Sequence, residues 1–317
     1  MRVCVLGSGV VGLSVAHRLA ERGHHVRVLG DADPLATTSA VAAALWYPYL
    51  ASPAARTGAW GARTYEVLSD LARQAPESGV DRRPGRELAA AGTPVPPWHA
   101  DVDDFGLLDP DPDGRGGWSF TSPVVDMSLY LPWLAAQVRS LGVHLETVPR
   151  LGPSDLAAAA AGDDALVLCP GLGAVDLLAD TDVVPVRGQV VLLEQVGLES
   201  WLLAEGDGDP TYVVPRRRTI VCGGTARAGD WSTEPDATTA RDILTRCRAL
   251  LPQLAEAAVV GHRVGLRPVR PQVRLELERS NDALGVPVVY CYGHGGAGVT
   301  LSWGCAEDVA DLVGSLG

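Results

Sequence analysis

Apolar residues open the chain in a strand-like run over residues 3–6, then recur at Val11, Val15 and Leu19 with the spacing of one helix face. A second apolar run follows over residues 26–29 and stops before Asp31. Strand, helix, strand is the signature of a βαβ unit. Its first turn holds Gly7, Gly9 and Gly12 in G-x-G-x-x-G spacing, with Val10 and Val11 at the start of the helix. Such a turn brings bare backbone against a pyrophosphate on the helix N-terminus, where free N–H groups and the helix dipole favour negative charge. Asp31 stands where an acid bonds the ribose hydroxyls of an adenosine. The pattern calls for a dinucleotide and leaves NAD and FAD open, with a purely structural turn as the plain alternative.

The other end of the chain carries a matching pattern. Residues 288–306 read VVYCYGHGGAGVTLSWGCA: an apolar strand, then Gly293, Gly295, Gly296 and Gly298, then Val299 and Thr300 leading into a helical repeat. Glycines in that number let a backbone approach a flat or anionic ligand with no Cβ in the way. Two such turns, nearly the whole chain apart, imply one cofactor held from both termini.

Between them the pattern is uneven. Thr37, Thr38 and Ser39 precede AVAAALWYPY, whose Ala43, Ala44 and Leu45 suit close passage beside a planar group, while the hydroxyls are available to phosphate or ribityl oxygens. A helix N-cap with its first turn fits the same letters. From residue 51 to 117 periodicity weakens, and DPDPDGRGG over 109–117 reads as an exposed loop. A helix is expected over 128–140, a strand over 143–148, an alanine-rich helix, and a buried strand over 165–169 that ends at Pro170 and Gly171, a further close-approach turn. After Arg187 strand-like alternation returns in QVVLLE, TYVVP, TIVCGG and AVVGHRVG, with a helix over 236–250. The expected fold is α/β. A Rossmann-like cofactor domain, built from residues 1–50, 128–190 and 260–317, interleaves with a mostly antiparallel substrate domain of residues 51–127 and 191–259.

Composition narrows the partners. A net charge of −12 argues against nucleic acid, and all 26 basic residues are arginine. Six cysteines, none at C-x-x-C spacing, lie mostly in apolar runs and read as reduced, buried thiols rather than a disulfide framework or metal site. No uninterrupted apolar stretch reaches membrane length, and the glycine-broken N-terminus reads as part of the fold, not an export signal. A cytoplasmic protein, with a homodimer as one possible assembly, is expected.

Candidate chemistry sits in GLRPVRPQVRLE, residues 265–276. On a regular strand Arg270, Gln272 and Arg274 share one side and Arg267 takes the other, facing a pocket alone. Arginine is the residue for two-point recognition of a planar carboxylate, although surface arginines commonly pair with Asp or Glu. Arg216, Arg217 and Arg218 read as a solvated turn, Asp230 and Trp231 as a strand end, and His294 as a partner of backbone or cofactor edge. Trp46 reads equally as core or as cofactor wall.

The stretches VCVLGSGVVGLS, TTSAVAAALWYPY, RGQV, TYVVP, GLRPVRPQVRLE and YGHGGAGVTLSWGCA, in this order, resemble the D-amino-acid oxidase family of flavoproteins from residue 1 to about 313. The resemblance implies FAD as cofactor, and D-amino acid and O2 as partners. It implies hydride transfer to the flavin without a protein base, followed by peroxide formation and hydrolysis of the imino acid to a 2-oxo acid and ammonia. It places the carboxylate-binding arginine on Arg267, a carboxylate-binding tyrosine on Tyr212, and the amine-accepting carbonyl on Gly296. Cofactor contacts fall on Gly7, Gly9, Val10, Val11, Gly12, Asp31, Thr37, Thr38, Ala43, Ala44, Leu45, Gly171 and Arg267, and in the tail on Gly293, Gly295, Gly296, Gly298, Val299 and Thr300. Tyr47 falls near flavin and substrate. The chain departs from the family at GDGDP, residues 206–210, where a mobile tyrosine lid is shortened or missing, and at Tyr290, Cys291 and Ala297. Neutral or apolar D-amino acids are the expected substrates. D-aspartate, which would need an added cation such as Arg227 near the family position now held by Ala226, and glycine or sarcosine come next. A flavin- or nucleotide-binding protein without turnover is the non-enzymatic alternative, against which Arg267 and Tyr212 speak.

Overall fold

Alternating β-branched residues build the strands, and their register sets the site. The computed structural model describes residues 1–317 apart from 49–51, 112–113 and 205–207. The leading βαβ unit forms where its pattern puts it, as β1 (Arg2–Leu6), α1 (Val10–Glu21) and β2 (His25–Gly30). Parallel pairing sets Val3 against Val26 and Val5 against Val28. Next come α2 (Ala54–Gln74), β3 (Val80–Ala89), β4 (Asp103–Leu107), β5 (Gly116–Val125), α3 (Met127–Ser140), β6 (His144–Thr147), α4 (Leu156–Ala160) and β7 (Ala165–Leu168). The second half holds α5 (Ala174–Leu177), β8 (Val184–Glu194), β9 (Trp201–Ala204), β10 (Thr211–Pro215), β11 (Thr219–Gly223), β12 (Arg227–Ala228), α6 (Ala237–Leu250), β13 (Val259–Glu278), β14 (Val288–His294) and α7 (Gly298–Gly314).

Among the described residues one sheet runs β4-β5-β3-β9-β10-β11-β8-β13-β14-β7-β1-β2-β6, with β12 added to β8. From β14 to β6 the neighbours are parallel, and the apolar strands β14, β7 and β1 are covered on both faces, while the edge strand β6 is largely exposed. From β10 to β13 they are antiparallel. β13 joins the halves: residues 259–269 pair with β8 and residues 269–278 with β14, across an irregularity between Val269 and Arg274. Pro268 precedes that break and Pro271 lies within it, where a missing N–H is tolerated. Arg267 thus stands where the parallel and antiparallel halves meet.

Residues 51–117 correct the expected irregularity. They contain the 21-residue helix α2 and the ten-residue strand β3. The buried face of α2 is Thr57, Trp60, Gly61, Thr64, Tyr65, Leu68 and Ser69, helically spaced but largely small or polar, so no apolar period announces it. Small residues let helices approach closely, and a side chain on Gly304 of α7 would overlap the Trp60 backbone. Residues 37–45 also differ from a helix start: two short 3-10 turns, Pro34–Ala36 and Thr38–Val41, lead into extended chain. No helix among the described residues is long and apolar enough to cross a membrane.

Candidate active site

A cavity of about 630 Å³ opens at the C-terminal ends of β1, β7 and β14 and continues to β13, β8 and β10. This is where ligands settle in open α/β sheets. Gly9 begins α1 and Ala297 begins α7, and neither helix has a side-chain cap. Apart from Val10 N–H, which Ser39 accepts at 3.1 Å, the first-turn N–H groups of both helices are left for the cavity at their positive dipole ends. Gly7 has φ 122°, and a side chain there would overlap the Cys169 carbonyl. Two helix N-termini converging on one elongated space suit a long ligand that is anionic in part and planar in part, as FAD is.

Almost all sequence-derived contact residues line this cavity: Gly7 to Gly12 from the first turn, Asp31 after β2, Thr37, Thr38, Ala43, Ala44 and Leu45 from the next segment, Gly171 after β7, and Gly295, Gly296, Gly298, Val299 and Thr300 around the start of α7. Gly293 does not. It has φ 82°, and an added Cβ there would stand 2.9 Å from the Arg270 side chain. Some hydroxyls are already engaged. Thr37 donates to the Pro34 carbonyl (2.7 Å), Ser39 accepts from Val10 N–H (3.1 Å), and Thr300 clamps the Tyr47 backbone at 3.0 and 3.2 Å. Trp46 is core: fully buried, it donates to the Gly61 carbonyl and takes no part in the wall.

Arg267 and Tyr212 both line this cavity. The Arg267 guanidinium lies over Gly188, where an added Cβ would come within 2.5 Å, and it donates to the Thr225 carbonyl at 2.9 Å. Among the described residues Arg267 forms no ion pair, whereas Arg270 pairs with Asp180 and Asp182, and Arg274 with Glu276. Arg267 lines the cavity, whereas Arg270 and Arg274 are engaged by acidic neighbours. The Tyr212 ring rests on Gly223 and Gly224, which leave room for it. Tyr47 reaches the cavity while its phenol donates to Glu87 (2.7 Å), a buried carboxylate that also accepts from Trp118 (2.7 Å).

Several lining residues were not singled out in advance. Gly188 and Val190 on β8, and Val214 on β10 two residues beyond Tyr212, face the cavity by simple two-residue alternation. Leu203 joins them from β9, and Trp231, half exposed, lies in a loop beyond β12 instead of ending a strand. Arg150 enters beside β6, the edge strand next to β2, and so belongs to the Asp31 end. Arg227 lies outside the wall, held bidentately by Asp209 at 2.6 and 2.8 Å. Residues 206–207 of the expected lid segment lie outside the described residues.

Arg216 corrects the reading of a wholly solvated arginine turn. Arg217 pairs with Asp81 at the surface, but Arg216 turns inward and donates to the carbonyls of Ala42 (2.5 Å) and Ala43 (3.2 Å). Burial lowers its guanidinium pKa, partly offset by Asp126. All six cysteines are free and buried. Cys291, His294 and Cys305 converge, their ligand atoms within 4.8 Å of one another, a proximity no sequence spacing showed. Hydrogen bonds from Cys169 and Cys305 hold the Cys291 thiol pKa down, while burial raises that of Cys305.

The family model described as FAD dependent oxidoreductase matches residues 2–312. The chain is 48% identical to a D-amino-acid oxidase of Rubrobacter xylanophilus over 99% of its own length and 96% of the relative. It is 35% identical to the D-aspartate oxidase of Homo sapiens over 98% and 94%. Among solved structures, glycine oxidase from Geobacillus kaustophilus superposes with a TM-score of 0.78 at 20% identity, covering 99% of this chain and 95% of that one, which is a likeness of fold.

Proposed function

This chain belongs to the FAD-dependent oxidoreductase family, and from that premise we propose that it is a D-amino-acid oxidase acting on neutral and apolar D-amino acids. The observation that carries the reading is Arg267: a cavity-facing arginine without an acidic partner among the described residues, set beside Tyr212 in the space bounded by both glycine turns. Bound FAD supplies the two-electron acceptor, which oxygen regenerates with release of hydrogen peroxide. The α1 turn takes the pyrophosphate, Asp31 the adenosine ribose, and residues 43–45 and 295–300 the flavin. Arg267 takes the substrate carboxylate through two parallel bonds, Tyr212 adds a third, and the Gly296 carbonyl accepts from the amine. These contacts fix the carboxylate and the amine, and a side-chain space on only one side adds the third point about Cα, so that only one mirror image presents its Cα hydrogen toward the cofactor.

Val190, Leu203 and Val214 form an apolar wall for the substrate side chain. Arg227 is engaged with Asp209 and offers no charge to the cavity, which favours neutral substrates over D-aspartate. The two halves of the sheet support a division in which residues 1–50, 128–190 and 260–317 hold cofactor and residues 51–127 and 191–259 shape the substrate space. Six free thiols suit the reducing cytoplasm.

The test is a substrate panel. Purified holoenzyme should be yellow and release peroxide with D-alanine and D-methionine at higher kcat/KM than with D-aspartate. A higher value for D-aspartate would overturn the substrate assignment, and a colourless protein that FAD cannot reconstitute would overturn the cofactor assignment.

A further inference from the structure

Three consecutive arginines leave β10, and only the first goes inward. Arg216 is buried, with its own N–H bonded to Thr219 and its carbonyl to Gln195. Its guanidinium reaches the backs of Ala42 and Ala43, and Nη1 lies 3.8 Å from Asp126. Asp126 is itself fixed, capping α3 through Ser128 N–H (3.1 Å) and accepting from the Ser128 hydroxyl (2.6 Å). The next carbonyl along, that of Ala44, accepts from Val125 N–H at 2.9 Å. Three successive carbonyls are thereby drawn to the side away from the cavity.

A trans peptide unit points its N–H opposite to its C=O. The N–H groups of Ala43, Ala44 and Leu45 are therefore turned toward the cavity that these residues line, and among the described residues none of them has an acceptor. Ala44 takes φ 55°, a conformation unfavourable for a residue with a Cβ, so this geometry needs outside support. We infer that Arg216 is a positioning residue: from behind, it holds residues 42–45 with their N–H groups aimed at the flavin, and it ties that segment to β10, the strand that carries Tyr212. This inference rests on the flavin being bound as proposed above. Arg216 touches neither substrate nor cofactor and acts through the peptide units it orients.

The test compares holoenzyme with Arg216→Met, Arg216→Lys and the double variant Arg216→Met/Asp126→Asn, which leaves no unpaired buried carboxylate. Far-UV circular dichroism establishes folding, fluorescence titration gives the FAD dissociation constant, and the visible spectrum reads the flavin environment. Loss of charged hydrogen bonds to two carbonyls should weaken FAD binding about tenfold to a hundredfold in Arg216→Met and in the double variant. The visible bands should shift in the FAD-saturated variants, and Arg216→Lys, which keeps the charge and one bond, should recover part of both effects. Folded Arg216→Met or double variant with the parent's FAD affinity and spectrum would overturn the inference. A parent protein that binds no FAD would instead overturn the proposed function on which it rests.

Discussion

The guanidinium of Arg267 lies directly over Gly188, and three of its atoms would stand 2.5–2.6 Å from a Cβ added there. The space beneath the arginine proposed to bind the substrate carboxylate is thus set by a glycine on another strand. In Gly188→Ala the arginine must move aside, and a displacement of about 1 Å at such a site costs on the order of 10²-fold. KM for D-amino acids should rise by about that factor with the flavin spectrum unchanged. Steady-state kinetics on FAD-saturated enzyme checks this, and an unaltered KM would mean that Arg267 does not need its present position.

Removing the arginine altogether should be more severe. Arg267→Leu is expected to stay folded and yellow but to lose saturable D-amino acid binding, measured as the flavin spectral change on adding a non-reacting carboxylate such as benzoate. Normal binding would assign the carboxylate to another residue. Tyr212→Phe should be milder, because one hydrogen bond to a charged group is worth roughly 1.5–3 kcal/mol and the arginine remains. A drop in kcat/KM of about ten- to a hundredfold is expected for it.

The parts of the site that were legible in the sequence are those whose chemistry is local. The turn at Gly7, Gly9 and Gly12 lies between two apolar runs, and Arg267 is set apart from Arg270 and Arg274 by alternation on one strand. What stayed hidden depends on partners distant in the chain. The buried stripe of α2 is rich in threonine, glycine and serine because it packs closely on α7, so it lacks an apolar period. β3 hides in VDRRPGRELA because charged residues lie on both of its faces, Arg86 exposed and Glu87 buried, while Gly85 makes room for the Trp201 indole. Arg216 is indistinguishable from Arg217 and Arg218 until the hairpin between β10 and β11 fixes which one faces Ala42. The meeting of Cys291, His294 and Cys305 needs the packing of α7 on β14.

Gly7→Ala tests the cofactor cradle by sterics alone. The position has φ 122°, and its added methyl would overlap the Cys169 carbonyl. FAD should be lost on gel filtration and the apoprotein destabilised, and full retention of flavin would show that the turn can relax without cost.

Acid should loosen α7. Glu307 on α7 bonds Arg18 (3.1 Å) and Arg22 (2.9 Å) of α1 and Arg63 (3.1 Å) of α2. Burial alone would raise its pKa, but these three arginines outweigh burial and hold it below the usual 4.5. A carboxyl with a depressed pKa in the folded state contributes stability that is complete above 4.5 and is lost as pH falls through the folded value. Thermal stability should therefore fall on acidification below about 4.5, with a shallower fall in Glu307→Gln, which is already less stable at pH 7. Parallel melting-temperature curves for the two proteins across pH 3–7 would show that Glu307 contributes nothing to the acid limb.

The most direct measurement is flavin bleaching without oxygen. Holoenzyme is mixed anaerobically with D-methionine in one cuvette and L-methionine in another, and the oxidised flavin bands are followed. Bleaching by the D-form alone, reversed on admitting air with formation of hydrogen peroxide, is the expected result. Bleaching by the L-form alone, or by neither, would contradict the assignment of Arg267, Tyr212 and Gly296 to a D-amino acid.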